Sequence, residues 1–198
     1  MAYRWPKGSF SHLWANYPKH SEYDSDPKTM HTQKSVWSLI GGHVEMNEWS
    51  ATEKQADGSP MFNNTCAIRM SRALNYTGIT IPMQKTTTKS SDGKQHTRWL
   101  TVSGNDGKNY FLTVAGLQMF LERTLGQPEK IIGARFTSSR TITGAPSNAS
   151  GIISFNDATG HFTLWDGVRQ TVIDMDVTEG ESYPRWPQPT STLFWEVQ

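Results

Sequence analysis

Cys66 is the only cysteine among 198 residues, and it follows Asn63, Asn64 and Thr65 at the head of a helix-like run that continues Ala67-Ile68-Arg69-Met70-Ser71-Arg72-Ala73-Leu74. A lone cysteine forms no internal disulfide and falls short of any multi-cysteine metal site. Two roles remain for it, a small buried apolar residue or a reactive thiolate. Helix N-termini are polar and wet, and their macrodipole together with an imidazolium brings a cysteine pKa from about 8.5 into a range of roughly 3.5 to 7.5. The three capping residues ahead of Cys66 favour the thiolate.

A thiolate needs a base. Of the six histidines, His12, His20, His31, His43 and His96 sit in polar or loop contexts and read as solvated imidazoles. His161 differs, because it follows Gly160 and opens the β-rich run Phe162-Thr163-Leu164-Trp165. A base that takes and returns a proton is usually oriented through its second ring nitrogen by an acid or amide. If the loop after this strand is the four residues 166 to 169, the return strand places Asp174 across from His161, with Cβ atoms about 4.5 to 5.5 Å apart. A two-residue Asp166-Gly167 turn would put Val172 there instead. Asp176 is the same-face diagonal alternative, and Asp166 itself reads as a turn residue.

Rival chemistries are poorly supported. No His-x-x-x-His, Cys-x-x-Cys or His-Glu pairing lies near Cys66 or His161, so neither a metal nor another cofactor is expected. Gly41-Gly42 and Gly104-Asn105-Asp106-Gly107 lack the lysine and the strand-to-helix setting of a phosphate loop. The formal charge of +1 provides no basic stripe for a nucleic-acid backbone. No stretch approaches the roughly 18 to 20 apolar residues of a membrane span, and the start has no apolar signal-peptide core, so cytoplasmic synthesis without a signal peptide is expected. Apolar residues are only 35% of the chain, but eight Trp and eight Phe supply large buried area, and the length suits one domain spanning 1–198.

The elements that must position Cys66 and His161 follow from periodicity and breakers. Ser9 to Tyr17, stopped by Pro18, reads as a short helix capped by Ser9; Ser35 to Ile40, closed by Gly41-Gly42, repeats the pattern. The run from Lys19 to Lys34 reads as a loop. In the cysteine helix Ala67, Met70, Ala73, Leu74 and Thr77 fall three or four apart, which predicts one inward face, with Gly78 as C-cap. Lys85 to Lys94 reads as a mobile loop or hairpin tip, and Asn105-Asp106-Gly107 as a hairpin turn. Val114 to Leu125 is predicted helical, with Val114, Leu117, Phe120, Leu121 and Leu125 inward. Runs at 151–155, 161–165, 171–177 and 193–197 are predicted strands of an antiparallel meander. Helices first and strands afterwards make an α+β domain, with the cysteine helix packed on the sheet.

Taken in order, Ser9-Phe10-Ser11-His12-Leu13-Trp14 with Tyr17-Pro18, the segment Asn63 to Ser71 with Ala73-Leu74 and Gly78, Leu125-Gly126-Gln127-Pro128, Gly151 to Phe155, Gly160-His161-Phe162-Thr163-Leu164-Trp165-Asp166-Gly167 and Phe194-Trp195 resemble the type VI secretion amidase effectors of family 4. The resemblance spans most of the chain, and the cysteine segment and the Gly-His strand are its specific parts. It implies a papain-like cysteine peptidase fold and hydrolysis of the γ-D-glutamyl to meso-diaminopimelate bond of peptidoglycan stem peptides. It also implies injection by the type VI apparatus, action in the periplasm of a rival bacterium, and a cognate immunity protein that blocks the cleft. By position Cys66 is the implied nucleophile and His161 the base. The family's third residue, an aspartate, agrees with Asp174 only if this chain has a loop about two residues longer, and a cysteine pair found near there in some members is missing.

On this reading the oxyanion meets the Cys66 backbone N–H and a donor from Asn63 or Asn64, and Trp37, Trp49 and Trp186 are candidates to line the groove. The alternatives are a non-catalytic wall-binding module that stacks tryptophans on sugar rings, and a papain-like protease or acyltransferase on another substrate.

Overall fold

A computed structural model describes residues 4–6, 8–25, 30–46, 65–89, 95–131, 133–138, 141–156, 160–173 and 191–198. Its helices are α1 (Ser9–Asn16), α2 (Val36–Ile40), α3 (Gly42–Glu45), α4 (Cys66–Tyr76) and α5 (Val114–Leu125). The strands β1 (Lys85–Lys89) and β2 (Gln95–Trp99) form one antiparallel hairpin, β3 (Thr101–Ser103) and β4 (Asn109–Phe111) a second. Then follow β5 (Glu129–Ile131), the pair β6 (Arg135–Ser138) and β7 (Thr141–Thr143), β8 (Gly151–Asn156), β9 (His161–Asp166), β10 (Thr171–Val172) and β11 (Ser191–Glu196).

The main sheet runs β10-β9-β8-β11-β5, antiparallel throughout. Successive side chains on a strand alternate between faces, and here both faces are covered. On one side Ile152, Phe162, Leu164 and Trp195 join Ala67, Met70 and Leu74 of α4 and Leu117 and Leu121 of α5 in one apolar cluster. On the other, Ile153, Phe155, Trp165, Val172 and Phe194 pack with Ile142 and Ala134. That is why β9 is buried at every position, its polar residues His161, Thr163 and Asp166 included. Each fully buried Leu, Ile or Phe contributes roughly 1.5 to 3 kcal/mol.

The meander β8-β9-β10 and the helix α5 match the sequence expectation, and Thr113 Oγ1 caps α5 by accepting from the Gly116 N–H at 3.2 Å. Three expectations change or sharpen. Ser9 does not cap α1: Gly8 does, at φ +83, and the Ser9 hydroxyl donates to the Pro6 carbonyl at 2.6 Å. The stretch from Lys85, read as a mobile loop or a hairpin tip, begins with strand β1 of a hairpin, its three successive β-branched threonines pairing with β2. Finally, β11 does not follow β10 at the sheet edge. It inserts between β8 and the short β5, so both its edges are paired.

Helix α4 is the pivot. It was expected to bury one face, yet Cys66, Ala67, Ile68, Arg69, Met70, Ser71, Ala73, Leu74 and Asn75 are all buried. A helix covered on all but the Arg72 and Tyr76 positions must satisfy most of its polar side chains inside. Ser71 Oγ donates to the Ala67 carbonyl at 2.7 Å and accepts from the Phe111 N–H at 3.0 Å, and Asn75 Nδ2 donates to the Asn109 carbonyl at 2.8 Å, so both tie the helix to β4. At its C-terminal end Gly78 takes φ +94 and the Ile79 N–H reaches back to the Leu74 carbonyl at 3.0 Å. That closure is the one expected of a glycine just beyond the last turn, and it buries Ile79 beside Leu74.

Candidate active site

Cys66 is the first residue of α4 and only 1% exposed, with its side chain in the same apolar cluster as Phe162, the residue after His161. As first residue, its N–H has no acceptor within the helix and its sulfur lies at the positive end of the macrodipole. Thr65 holds the cap position, but its hydroxyl makes no capping bond. Instead Thr65 Oγ1 donates to Ser25 Oγ at 3.0 Å and accepts from Arg69 Nε at 3.0 Å. Arg69, fully buried one turn into the helix, also donates to the Pro18 carbonyl (2.6 Å), the Tyr23 carbonyl (2.6 Å) and Ser25 Oγ (2.7 Å). The segment leading out of α1 is thereby tied to the first turn of α4.

His161 is the first residue of β9 and 8% exposed, and β9 is the strand of the sheet that lies against α4. The preceding Gly160 explains itself: it takes φ +65, and a Cβ there would come within 2.6 Å of Val114 Cγ1 at the head of α5. Gly160 thus brings the start of β9 hard against that helix end. Alternation sends Phe162 and Leu164 toward α4 and Trp165 to the opposite face. His161 is paired with Phe155 and has the parity of Trp165, so alternation by itself does not turn its side chain toward α4. His12, His31 and His43 are exposed, as expected of solvated imidazoles. His20 is half-buried, and its Nδ1 lies 3.0 Å from Ser25 Oγ.

Asp166 closes β9 and is occupied by its turn. Its Oδ1 accepts from the Val168 and Arg169 N–H groups at 3.0 Å each, and its Oδ2 from Arg169 Nη1 at 3.3 Å. Five residues along a strand from His161, about 16 to 17 Å away, it is the turn residue the sequence suggested. The turn itself sits one residue later than the 166 to 169 loop from which Asp174 was placed across from His161. Asp166 pairs with Thr171 and Trp165 with Val172, and the Ile173 N–H donates to the Leu164 carbonyl at 2.9 Å, so the loop is 167–170. Asn63, Asn64, Asp174, Asp176, Trp49 and Trp186 lie outside the described residues. Trp37, considered as a groove residue, is instead wholly buried in α2 against Ile68 and Tyr110. Among the described residues no cluster of three or more His, Cys, Asp or Glu could hold a metal ion, and no helix is long and apolar enough to cross a membrane.

Sequence reasoning passed over Arg69 and Ser25. The available signal was an arginine at the fourth position of an otherwise apolar-rich helix, three residues after the cysteine.

A helix headed by a cysteine, lying against an antiparallel sheet whose adjacent strand opens with a histidine, is the arrangement of the papain-like α+β fold. Residues 62–195 match the family described as type VI secretion system (T6SS), amidase effector protein 4. The chain belongs to that family. It is similar to the crystal structure of the type VI effector-immunity complex Tae4-Tai4 from Enterobacter cloacae, at 27% identity and TM-score 0.62 over 99% of this chain and 100% of that one. The effector Tae4 from Enterobacter cloacae on its own is also 27% identical, with TM-score 0.60 over 100% of both chains. The Tae4-Tai4 complex from Salmonella Typhimurium is 25% identical, with TM-score 0.61 over 99% and 100%. No curated sequence matches the chain.

Proposed function

We propose that this amidase effector is a cysteine DL-endopeptidase that hydrolyses the γ-D-glutamyl to meso-diaminopimelate bond of peptidoglycan stem peptides. The observation that carries the reading is a single cysteine at the first position of a buried helix, set against the strand that His161 opens, in a chain of the amidase effector family. The Cys66 thiolate attacks the γ-carbonyl carbon, and the developing oxyanion takes a hydrogen bond from the Cys66 N–H and a second from Asn63 or Asn64. The His161 imidazolium gives its proton to the departing diaminopimelate amine as the C–N bond breaks, leaving a thioester. His161 then takes a proton from water, whose oxygen attacks the thioester and releases the γ-carboxylate and the thiol.

An aspartate orients His161. The loop at 167–170 lies one residue later than the one from which Asp174 was chosen, and this shift of the hairpin favours Asp176 for the role, with Asp174 as the alternative. Asp176→Asn is therefore expected to lower kcat more than Asp174→Asn; the reverse order would return the role to Asp174.

As a type VI effector it is injected by the type VI apparatus and acts in the recipient's periplasm. Since the Enterobacter cloacae and Salmonella Typhimurium relatives are seen in effector-immunity complexes, a cognate immunity protein that blocks activity is proposed here too. The wall-binding alternative needs exposed tryptophans. Among the described residues Trp5, Trp37, Trp165 and Trp195 are buried, Trp14 is half-buried and Trp99 is exposed, so four of the six described tryptophans are closed to a glycan. Incubation with purified sacculi followed by mass spectrometry tests the reading. Fragments ending in D-glutamate with a free diaminopimelate amine on the other product are expected; cleavage at another amide would favour the protease or acyltransferase alternative, and intact sacculi would contradict amidase activity.

A further inference from the structure

Arg69 is placed differently from every other charged residue described. Arginine side chains on a helix lean toward its N-terminus, and from position 69 that brings the guanidinium back beside Thr65, the residue bonded to Cys66. There its three nitrogens donate in four directions, to two main-chain carbonyls and two hydroxyls, at 2.6 to 3.0 Å. All but Thr65 belong to the 18–25 segment, more than 40 residues away in sequence. Ser25 Oγ sits at the centre of this set, accepting from both Thr65 and Arg69. Ser25 Oγ also lies 3.0 Å from His20 Nδ1 and, with two hydrogen bonds already accepted, has its own hydrogen to give there. A planar fork can serve acceptors in these directions at once; an ammonium of the same charge cannot.

We propose that Arg69 is the positioning residue of the nucleophile: its guanidinium ties residues 18–25 to the helix cap at Thr65 and so holds the first turn of α4, with Cys66 in it, in its working place beside a fixed positive charge. The inference rests on the cysteine reading of the site and deepens it. Two contributions separate by substitution. Arg69→Lys keeps the charge and loses the fork; Arg69→Gln loses both.

The test reads the protein first without substrate. Because Cys66 is the only cysteine, the rise in absorbance near 240 nm as pH increases, corrected with Cys66→Ser, reports its thiolate alone. In variants whose far-ultraviolet dichroism matches the wild type, Arg69→Gln is expected to raise the titration midpoint by about one pH unit and Arg69→Lys by no more than about 0.3. On stem peptide both are expected to lower kcat about tenfold or more with KM changed less than about threefold, since the loss falls on the nucleophile and not on substrate binding. A folded Arg69→Gln with the wild-type midpoint and kcat overturns the proposal. So does a loss confined to KM. If neither Arg69 variant folds, Ser25→Ala decides: it leaves the charge and removes the central acceptor, and kcat should fall about threefold to tenfold; an unchanged kcat overturns the proposal. Should the titration behave as expected while wild-type protein cleaves no stem peptide, the amidase reading fails and the positioning role stands.

Discussion

The two ends of α4 are secured by opposite means. At the N-terminal end a buried cation, Arg69, gathers carbonyl and hydroxyl oxygens from residues 18–25, brought from far away in sequence. At the C-terminal end a carboxylate does the gathering. Asp106, in the turn between β3 and β4, accepts from Tyr110 Oη at 2.6 Å, Tyr76 Oη at 3.0 Å and the Lys108 N–H at 3.0 Å, while Arg72 lies 4.5 Å from the Tyr76 ring centre. The far end is anchored to a local hairpin that forms with short loop closure, whereas the cysteine end is assembled from distant segments and depends on the whole fold. Damage at the cysteine end should therefore appear mainly in turnover, and damage farther down the helix mainly in stability.

Gly160→Ala should give the largest combined effect. The left-handed φ of +65 disfavours a Cβ, which would also collide with Val114, so a stability loss of about 2 to 4 kcal/mol in urea unfolding is expected. Because the residue sets where β9 starts, kcat should fall with it; a fully active variant would separate the start of β9 from the chemistry. Ser71→Ala comes next. Removing this mid-helix hydroxyl strands the buried Phe111 N–H of β4 and should cost about 1 to 3 kcal/mol, with kcat near wild type. A kcat loss larger than the stability loss would contradict the division of labour along α4.

Tyr110→Phe should be smallest, about 1 kcal/mol at neutral pH, and it carries a pH signature. Burial first, then the hydrogen bond and charge of Asp106, hold the Tyr110 phenol far above its ordinary pKa of 10.0. The unfolded chain thus releases this proton near pH 10 while the folded protein keeps it, so the phenol's contribution is complete below about pH 10 and is lost as pH rises beyond it. Thermal melts between pH 9 and 11 should show a shallower decline in Tyr110→Phe than in the wild type. Equal slopes would move the alkaline sensitivity to other groups.

Much of this was legible in sequence because it is written in local signals. The face of α5, the glycine that closes α4 and the β8-β9-β10 meander each follow from periodicity and breakers. Cys66 and His161 stood out by rarity and setting. What stayed hidden depends on contacts between distant segments. Nothing local marks Ser25 as the partner of Thr65, or β11 as the strand that enters between β8 and β5. The burial of Arg69 on a helix expected to bury one face follows only once residues 18–25 cover its other side. The turn after β9 slipped by one residue for a related reason: Asp166 looks like a turn residue and acts as one, yet its backbone still pairs with Thr171.

The central claim is that Cys66 attacks and His161 moves the proton. Its most direct test is the rate at which diaminopimelate amine is released from stem peptide by wild type, Cys66→Ala and His161→Ala at equal concentration, with folding checked by thermal melt. A fall of about a thousandfold or more in each variant is expected, with no further loss when the two are combined, because nucleophile and base act as a unit. Release at the wild-type rate by either folded variant would contradict the account.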